Sequence, residues 1–192
     1  DIAVSMRDLS IYKRLRTAAS KMYPLSPHSK PGDSRDVYIA KLERAFYFAM
    51  ATAYAQGMHL LAHASDEFGY RLNLSTIAKI WRGGCIIRSA FLEDIYNAYH
   101  VDPKLAHLFL NEAIYNNLTN ALPGMRTVVA DAATYGFALP AFSAALSYFD
   151  AFRSATMPAN LIQAQRDYFG SHTYELIGKE GSFHTEWQKT DA

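Results

Sequence analysis

The sequence predicts an all-α protein: a multi-helix bundle of long packed helices that ends in an extended C-terminal tail. Apolar residues recur at i, i+3 and i+4 spacing over residues 36–68, which is typical of a long amphipathic helix. No stretch alternates between apolar and polar residues as a half-buried strand would, and no internal repeat is present. Glycine and proline fall mostly between the periodic stretches, where helices end and begin.

Two long helices separated by a loop are expected in the first third of the chain. Residues 1–22 carry an imperfect apolar stripe and predict the first helix. Residues 23–36 contain three Pro, one Gly and several Ser, which predict the loop. Asp33 or Ser34 is expected to cap the second helix, and Gly69 is expected to end it.

Shorter helices are expected over the rest of the chain, wherever helical apolar spacing meets a capping residue, a glycine or a proline. Pro140 and Pro158 suit the first turns of the last two, and Gly136 suits a helix end. The predicted segments run from Asn73 or Ser75 to Ile80, over 85–99, from Asp102-Pro103 for a short helix, and over 111–136, 139–153 and 158–169.

The last segment, residues 171–187, follows Gly170 and has no long apolar face. It nevertheless contains Tyr174, Phe183 and Trp187, whereas disordered tails are poor in aromatic residues. The segment is therefore expected either to fold back on its own domain or to insert into a partner. We accordingly divide the chain into a helical domain, 1–170, and a tail, 171–192.

Composition narrows the class of protein. A chain of 192 residues with a net charge of +1 suits one domain and has no charge excess that would attract nucleic acid or a membrane surface. Residues 45–65 lack charged side chains and are long enough to span a bilayer, but their polar and small residues favour a buried helix. The single Cys85 excludes an intrachain disulfide, and no secretory signal begins the sequence, which together suit a cytoplasmic protein.

Two kinds of residue could bind a metal or catalyse acid–base chemistry, and neither is convincing. His59 and His63 have the i, i+4 spacing of metal ligands, but no further ligands accompany them, so a packed or solvent-facing pair is favoured. Adjacent carboxylates such as Glu93 and Asp94 point in different directions on a helix and suit a solvated face. No metal site is predicted.

The stretch WRGGCIIR, residues 81–88, places two glycines and two arginines in apolar surroundings. Close helix approach or a break in the helix accounts for the glycines. Arg82 and Arg88 are expected to form buried ion pairs or to contact a partner subunit. Cys85 is expected to be a small buried side chain.

Arg166 and His172 form the best candidate binding site. They lie six residues apart on either side of Gly170, so a guanidinium and a titratable imidazole meet where the chain turns. Such a pair suits an anionic small molecule, although a structural docking role for the tail remains an alternative. Arg7, a lone cation on the first helix, would by itself be interpreted as a surface arginine.

Several enzyme classes lack their sequence motifs here. The chain has no GxGxxG after a strand, no Walker loop and no GxSxG elbow. These residues are therefore not expected to bind a dinucleotide in the Rossmann manner.

Four stretches resemble the C-terminal domain of decarboxylating 6-phosphogluconate dehydrogenase. The resemblance covers nearly the whole chain, and the QAQRDYFG.HTYE string is highly specific. It is weakest over residues 1–40, where AASK (18–21) is the main anchor. The stretches are AYAQGMHLL (53–61), KIWRGGCIIRSAFLEDI (79–95), LPAFSAALSYFDAFR (139–153) and residues 157–187, with Met157 where Leu is usual.

The resemblance implies an enzyme of the pentose phosphate pathway and of gluconate utilization that oxidises 6-phosphogluconate with NADP. The resulting 3-keto acid loses carbon dioxide to give ribulose 5-phosphate. The family implies a homodimer whose tail reaches into the other subunit, an N-terminal Rossmann domain that binds NADP, and no metal, nucleic acid or membrane partner.

The resemblance also assigns residues. The RDYFG arginine and the HTYE histidine bind substrate in the family, and these are Arg166 and His172 here. Counting back from AASK places the family's phosphate-binding arginine, found in a FAR-type motif, on Arg7, although Ser5-Met6 replaces Phe-Ala.

The family's general-base lysine and general-acid glutamate have no counterpart in these residues, nor does its Gly-rich nucleotide-binding turn. The chain therefore corresponds to a fragment that is expected to be inactive alone. The alternative is a non-enzymatic helical dimerisation domain derived from the same family.

Overall fold

Helices dominate the computed structural model, which describes residues 2–24 and 32–187. The all-α prediction is confirmed, with a small hairpin added near the C-terminus. The helices are α1 Ile2–Leu9, α2 Lys13–Met22, α3 Arg35–Phe68, α4 Leu74–Arg82, α5 Phe91–Val101, a 3-10 helix Leu108–Leu110, α6 Glu112–Tyr135, α7 Pro140–Phe152 and α8 Asn160–Gly170, and the strands are β1 Tyr174–Leu176 and β2 Lys179–Phe183.

The chain forms two compact units, which we call the helical unit (1–149) and the tail unit (150–192). The sequence suggested a division at residue 170 instead. Helix α8 belongs to the same unit as the hairpin, because it packs on β1. Its Asp167 also accepts hydrogen bonds from the amides of Thr173, before the hairpin, and Thr185, after it. The division at 170 remains a prediction about domain organisation.

The core of the helical unit lies between α3 and α6, with α4, α5 and the 3-10 helix around them. Small and large apolar side chains alternate along the buried face of α3, including Ala45, Phe48 and Met58, as helical periodicity predicts. Gly124 on α6 allows close approach, because a Cβ there would lie 3.0 Å from the Cβ of Arg44 and from the carbonyl oxygen of Lys41.

Several predicted helix ends are confirmed. Ser34, one of the two expected caps, accepts a hydrogen bond from the Val37 amide at the start of α3. Asn73 caps α4 through the Thr76 amide at 2.9 Å. Gly69 and Gly136 end α3 and α6 in the left-handed conformation, with φ of 66° and 74°. These ends follow from local chemistry alone.

Other helix predictions were wrong. The single helix expected over 1–22 is instead two helices, Ile2–Leu9 and Lys13–Met22, and the Arg16 side chain donates to the carbonyls of Leu9 and Ser10 at the break between them. Residues 85–90 are turns and irregular backbone after α4, which ends at Arg82 with Gly83 as its C-cap, and Gly84 adopts φ 144°. No helix begins at Asp102; its carboxylate caps the Lys104 amide in a local turn.

The hairpin was not predicted, because its strands have only three and five residues, too few for a clear pattern, and the longer one, KEGSF, does not alternate in polarity. The strands are antiparallel, with Tyr174 opposite Phe183 and Leu176 opposite Lys179. A two-residue Ile177-Gly178 loop joins them, with Gly178 at φ 76°. A glycine in a two-residue loop is the signal that could have identified it.

The N-terminal helices α1 and α2 bury no side chain in this chain. Apolar residues such as Ile11, Leu15 and Met22 are 76%, 68% and 73% exposed. In the part of the chain that the structure describes, none of the helices has the length and apolar character that crossing a bilayer requires.

Candidate functional site

Arg166 and His172 lie at the end of α8 and in the turn that follows it, so the structure places both in one short segment, residues 163–173, which we call the α8 turn. Both side chains are exposed. Arg166 Nη1 donates to Oε1 of Gln163 at 3.1 Å, one helical turn earlier. The His172 ring lies beside Gly170, where an added Cβ would come within 2.8 Å of Nε2. Gly170 thus leaves space for the imidazole.

Asp167 is the residue on which the α8 turn is built, and the sequence analysis missed it. Its side chain is fully buried. Oδ1 accepts from the Thr173 amide and from His184 Nδ1, both at 2.9 Å. Oδ2 accepts from the Thr185 amide at 3.0 Å and from Trp187 Nε1 at 2.9 Å.

These four bonds determine the protonation state of Asp167. Burial by itself raises the pKa of a carboxyl group, but donors from Thr185, His184, Trp187 and Thr173 stabilise the charged form. The net effect holds the pKa of Asp167 well below its usual range. The carboxylate therefore stays ionised and connects α8 to both ends of the hairpin.

The backbone of the α8 turn is unusual. Ser171 and Thr173, on either side of His172, adopt the left-handed region with φ of 52° and 59°. This region costs a non-glycine residue about 1–2 kcal/mol. Two such residues around one histidine indicate that tertiary contacts hold the turn in place, and the Thr173 amide bond to Asp167 is one of those contacts.

Arg7, the third predicted site residue, lies on α1 and is exposed. It belongs to the helical unit, whereas Arg166 and His172 belong to the tail unit. Two of the three predicted residues thus lie on one segment of the tail unit.

A cavity of about 800 Å³ in the tail unit lies between the start of α8 and the hairpin. Met157, Asn160, Tyr174, Leu176 and Trp187 are among its lining residues. Neither Arg166 nor His172 lines it, but Gln163, which accepts a hydrogen bond from Arg166, does.

The histidines that were considered as metal ligands pack against each other in the helical unit. The rings of His59 and His63 lie 4.4 Å apart, and His59 lies 5.1 Å from a third ring, His107. His59 Nδ1 is 3.0 Å from the Ala106 carbonyl oxygen, which fits a donated hydrogen bond. Within residues 2–24 and 32–187, no group of three or more His, Cys, Asp or Glu side chains is arranged to bind a metal.

His107 is buried and was not singled out by the sequence. Its Nδ1 accepts from the Phe109 amide at 3.2 Å, and Nε2 is 3.1 Å from the Tyr148 hydroxyl. Burial, together with the neighbouring His59, lowers the pKa of His107 to about 4. The neutral ring acts as a structural hydrogen-bonding group.

The 81–88 stretch is partly as expected. Arg82 forms an ion pair with Glu93, although both side chains are roughly half exposed and not buried. Cys85 is exposed, so its prediction as a buried side chain was wrong. It lies in the turns after Gly84, and its Sγ bonds to the Trp81 carbonyl oxygen at 3.0 Å.

Comparison with known families identifies the type of domain. The family described as "6-phosphogluconate dehydrogenase, C-terminal domain" matches residues 1–187. The chain is 46% identical over 185 residues to the decarboxylating 6-phosphogluconate dehydrogenase of Escherichia coli K12, covering 96% of this chain and 39% of the relative. It is 46% identical over 192 residues to the Caenorhabditis elegans enzyme, covering 98% and 40%.

A solved structure gives the same result at the level of fold. The Plasmodium falciparum 6-phosphogluconate dehydrogenase matches with a TM-score of 0.89 and 43% identity, covering 96% of this chain and 40% of that one. It is described in its apo form, with its cofactor NADP+ and with its substrate 6-phosphogluconate. The chain thus spans about two fifths of the length of these relatives.

Proposed function

The chain belongs to the 6-phosphogluconate dehydrogenase family, and we propose that it is the dimer-forming and substrate-binding C-terminal part of an enzyme that oxidatively decarboxylates 6-phosphogluconate to ribulose 5-phosphate with NADP. The observation that carries this proposal is the match over residues 1–187 combined with Arg166 and His172 on one exposed turn. By itself the chain is inactive.

Arg166 binds the phosphate group of the substrate. A guanidinium presents a planar fork of N–H donors, which matches pairs of phosphate oxygens with charge-assisted hydrogen bonds. Its exposure, with one nitrogen bonded to Gln163, leaves other donors for a ligand. Arg7 is proposed as a further substrate-binding residue, a role that rests on its alignment with the family's FAR-type motif.

His172 donates a hydrogen bond to a sugar hydroxyl or to the substrate carboxylate. The exposed ring and the space left by Gly170 support this role. Both ring nitrogens donate in the protonated form, and one donates in the neutral form, so the imidazole can serve either acceptor.

The dinucleotide does not fit the residues described here. The strands among residues 2–24 and 32–187 form one antiparallel hairpin, with no βαβ unit and no glycine-rich turn leading from a strand to a helix. We therefore assign NADP, which accepts the hydride, to polypeptide outside this chain. The family's lysine and glutamate that transfer protons have no counterpart in this sequence either.

The working enzyme is proposed to be a cytoplasmic homodimer in which the tail unit completes the neighbour's site. The exposed apolar residues of α1 and α2 support a larger assembly, because a second subunit packed on these helices would remove their side chains from water.

The proposal is tested with Arg166→Ala in the full-length enzyme. Loss of a charge-assisted contact should raise the KM for 6-phosphogluconate by roughly 10- to 100-fold and leave the KM for NADP unchanged. Lys179→Ala, which removes an exposed cation from β2 in the same unit, is the matched control. Equal increases in both KM values would contradict a phosphate-binding role, and an inactive wild-type enzyme would exclude the reaction.

The alternative, a non-enzymatic dimerisation domain, predicts the same oligomer but no substrate affinity. Light scattering of the chain with and without residues 171–192 measures whether the tail contributes to association. Calorimetric titration with 6-phosphogluconate then separates the two functions, because only the enzyme fragment should bind the sugar phosphate through Arg166.

A further inference from the structure

Gln163 contacts Arg166 and Thr173, the residue that follows His172 in the α8 turn. Its Oε1 accepts from Arg166 Nη1 at 3.1 Å, and its Nε2 donates to the Thr173 carbonyl oxygen at 2.5 Å. The side-chain amide is partly buried. It is a rigid planar group, and its oxygen and its nitrogen each form a hydrogen bond with a different partner. This connects a guanidinium on the helix to the backbone just after His172.

The peptide groups of Thr173 are held on both sides by α8. Asp167 Oδ1 accepts from its amide, and Gln163 Nε2 donates to its carbonyl. Gln163 and Asp167 are four residues apart, so they lie on the same face of the helix, one turn from each other. Together they act as a two-point clamp on Thr173.

The clamp acts on a segment of backbone in an unfavourable conformation. His172 lies between Ser171 and Thr173, both of which adopt the left-handed region. An unsupported turn of three non-glycine residues would leave this conformation, and His172 would then sample many directions. A ligand that needs one direction would have to order the turn on binding, at the expense of affinity.

We propose that Gln163 is a positioning residue that fixes the guanidinium of Arg166 relative to the imidazole of His172, so that both groups are already arranged for one phosphorylated sugar acid. This inference rests on the proposed function, because it assigns to Gln163 a role in that same site. Asp167 holds the turn and the hairpin, whereas Gln163 couples the turn to the arginine.

The direct test is Gln163→Met in the full-length enzyme. Methionine has similar length and removes both hydrogen bonds. The KM for 6-phosphogluconate should rise about tenfold, while kcat and the KM for NADP each change less than about twofold. Gln165→Met, an exposed glutamine on the same helix, is the matched control and should behave as wild type.

A double-mutant cycle separates positioning from general stabilisation. In an Arg166→Ala/His172→Ala background, Gln163→Met should change the KM less than about twofold, because the groups that it positions are gone. A further tenfold rise in that background would overturn the inference, since Gln163 would then act independently of both residues. Equal losses in both KM values and in kcat, with a lowered Tm, would also overturn it.

A second variant covers the case in which Gln163→Met does not fold. Gln163→Glu keeps the contact to Arg166 but presents a carboxylate to the Thr173 carbonyl oxygen, so it should also raise the KM for the sugar phosphate. A wild-type KM in this variant would overturn the inference.

The two proposals fail in different ways. A wild-type enzyme with no activity on 6-phosphogluconate would overturn both the proposed function and the inference. An active wild type that is impaired by Arg166→Ala but indifferent to Gln163→Met or Gln163→Glu overturns the inference alone.

Discussion

The two compact units are stabilised in opposite ways. The helical unit has an apolar core spread over α3, α4, α5 and α6, in which side chains such as Phe48, Leu92 and Met125 are fully buried. In the tail unit, the buried residue of α8 is a charged one, Asp167, with donors from four other residues around it. Apolar burial divides stability among many side chains, whereas a polar hub concentrates it in one, so the two units should respond differently to single substitutions.

The largest expected effect is the loss of the tail fold in Asp167→Ala. Four donors lose their acceptor, and the buried ones among them are left without a partner. Hydrogen exchange of residues 171–187 should accelerate by roughly a thousandfold, since four bonds to a charged group are lost together, and the Trp187 indole N–H signal should shift, while α3 and α6 keep their protection. Glu180→Ala, on the exposed face of β2, is the control. Unchanged exchange in Asp167→Ala would show that the hub is not needed.

Phe48→Ala should produce the converse result. The ring is fully buried and packs edge-on against Phe149, with centroids 5.0 Å apart. Its removal leaves a cavity and should lower the unfolding free energy of the helical unit by about 3–5 kcal/mol. Hydrogen exchange of α3 and α6 in urea measures this unit, and Phe46→Ala, 60% exposed on the same helix, is the control. Similar losses in both variants would contradict the assignment of the core.

Mild acid should weaken the helical unit through His107. Its folded pKa is about 4, below the ordinary value of 6.5, so between these values the unfolded chain binds a proton that the folded chain does not. Stability should therefore fall as pH decreases from about 6.5 to 4, by up to about 3 kcal/mol. The Asp167 carboxylate, with its lowered pKa, stays ionised in this window.

Urea denaturation at several pH values compares wild type with His107→Asn, which keeps an acceptor for the Phe109 amide but does not titrate. The variant should be less stable at pH 7 and should show a flatter pH profile. Parallel profiles would exclude His107 as the source of the pH dependence.

The smallest expected effect is that of the Arg82–Glu93 ion pair. The side chains of Arg82 and Glu93 are 43% and 46% exposed, so water screens their attraction. Glu93→Gln should therefore lower the unfolding free energy by less than about 1 kcal/mol. Thermal melts at low and high salt measure it, since added salt should remove the difference. A stability loss above about 1 kcal/mol that persists in high salt would show that this ion pair behaves as a buried one.

Much of the fold could be predicted from the sequence because helices report on local chemistry. The spacing of apolar residues along α3 and the caps at Ser34, Asn73 and Gly136 are readable without a structure. The secondary structure was predicted wrongly where turns or contacts between segments determine it, such as at the break between α1 and α2, which Arg16 bridges. The hairpin, whose strands are too short to show a clear pattern, was missed for the same reason.

The candidate site divides in the same way. Arg166 and His172 were found from the sequence because their residue types, the intervening glycine and the family string all point to a binding turn. Asp167 and Gln163 were not, since an aspartate or glutamine on a helix is ordinarily a solvated side chain and nothing in the local sequence shows what approaches it.

The sequence by itself determined the helical class, the long helices with their caps and the family, and it singled out Arg166 and His172 as candidates. The helices and caps depend on interactions within a few residues, and the family and the candidates follow from short strings that resemble it. The tertiary structure alone decided that Asp167 is buried under four donors, that Gln163 joins Arg166 to Thr173, and that His107 is held neutral between Phe109 and Tyr148. The physical reason is that burial and hydrogen-bond partners depend on segments distant in sequence, and only the folded chain brings those segments into contact.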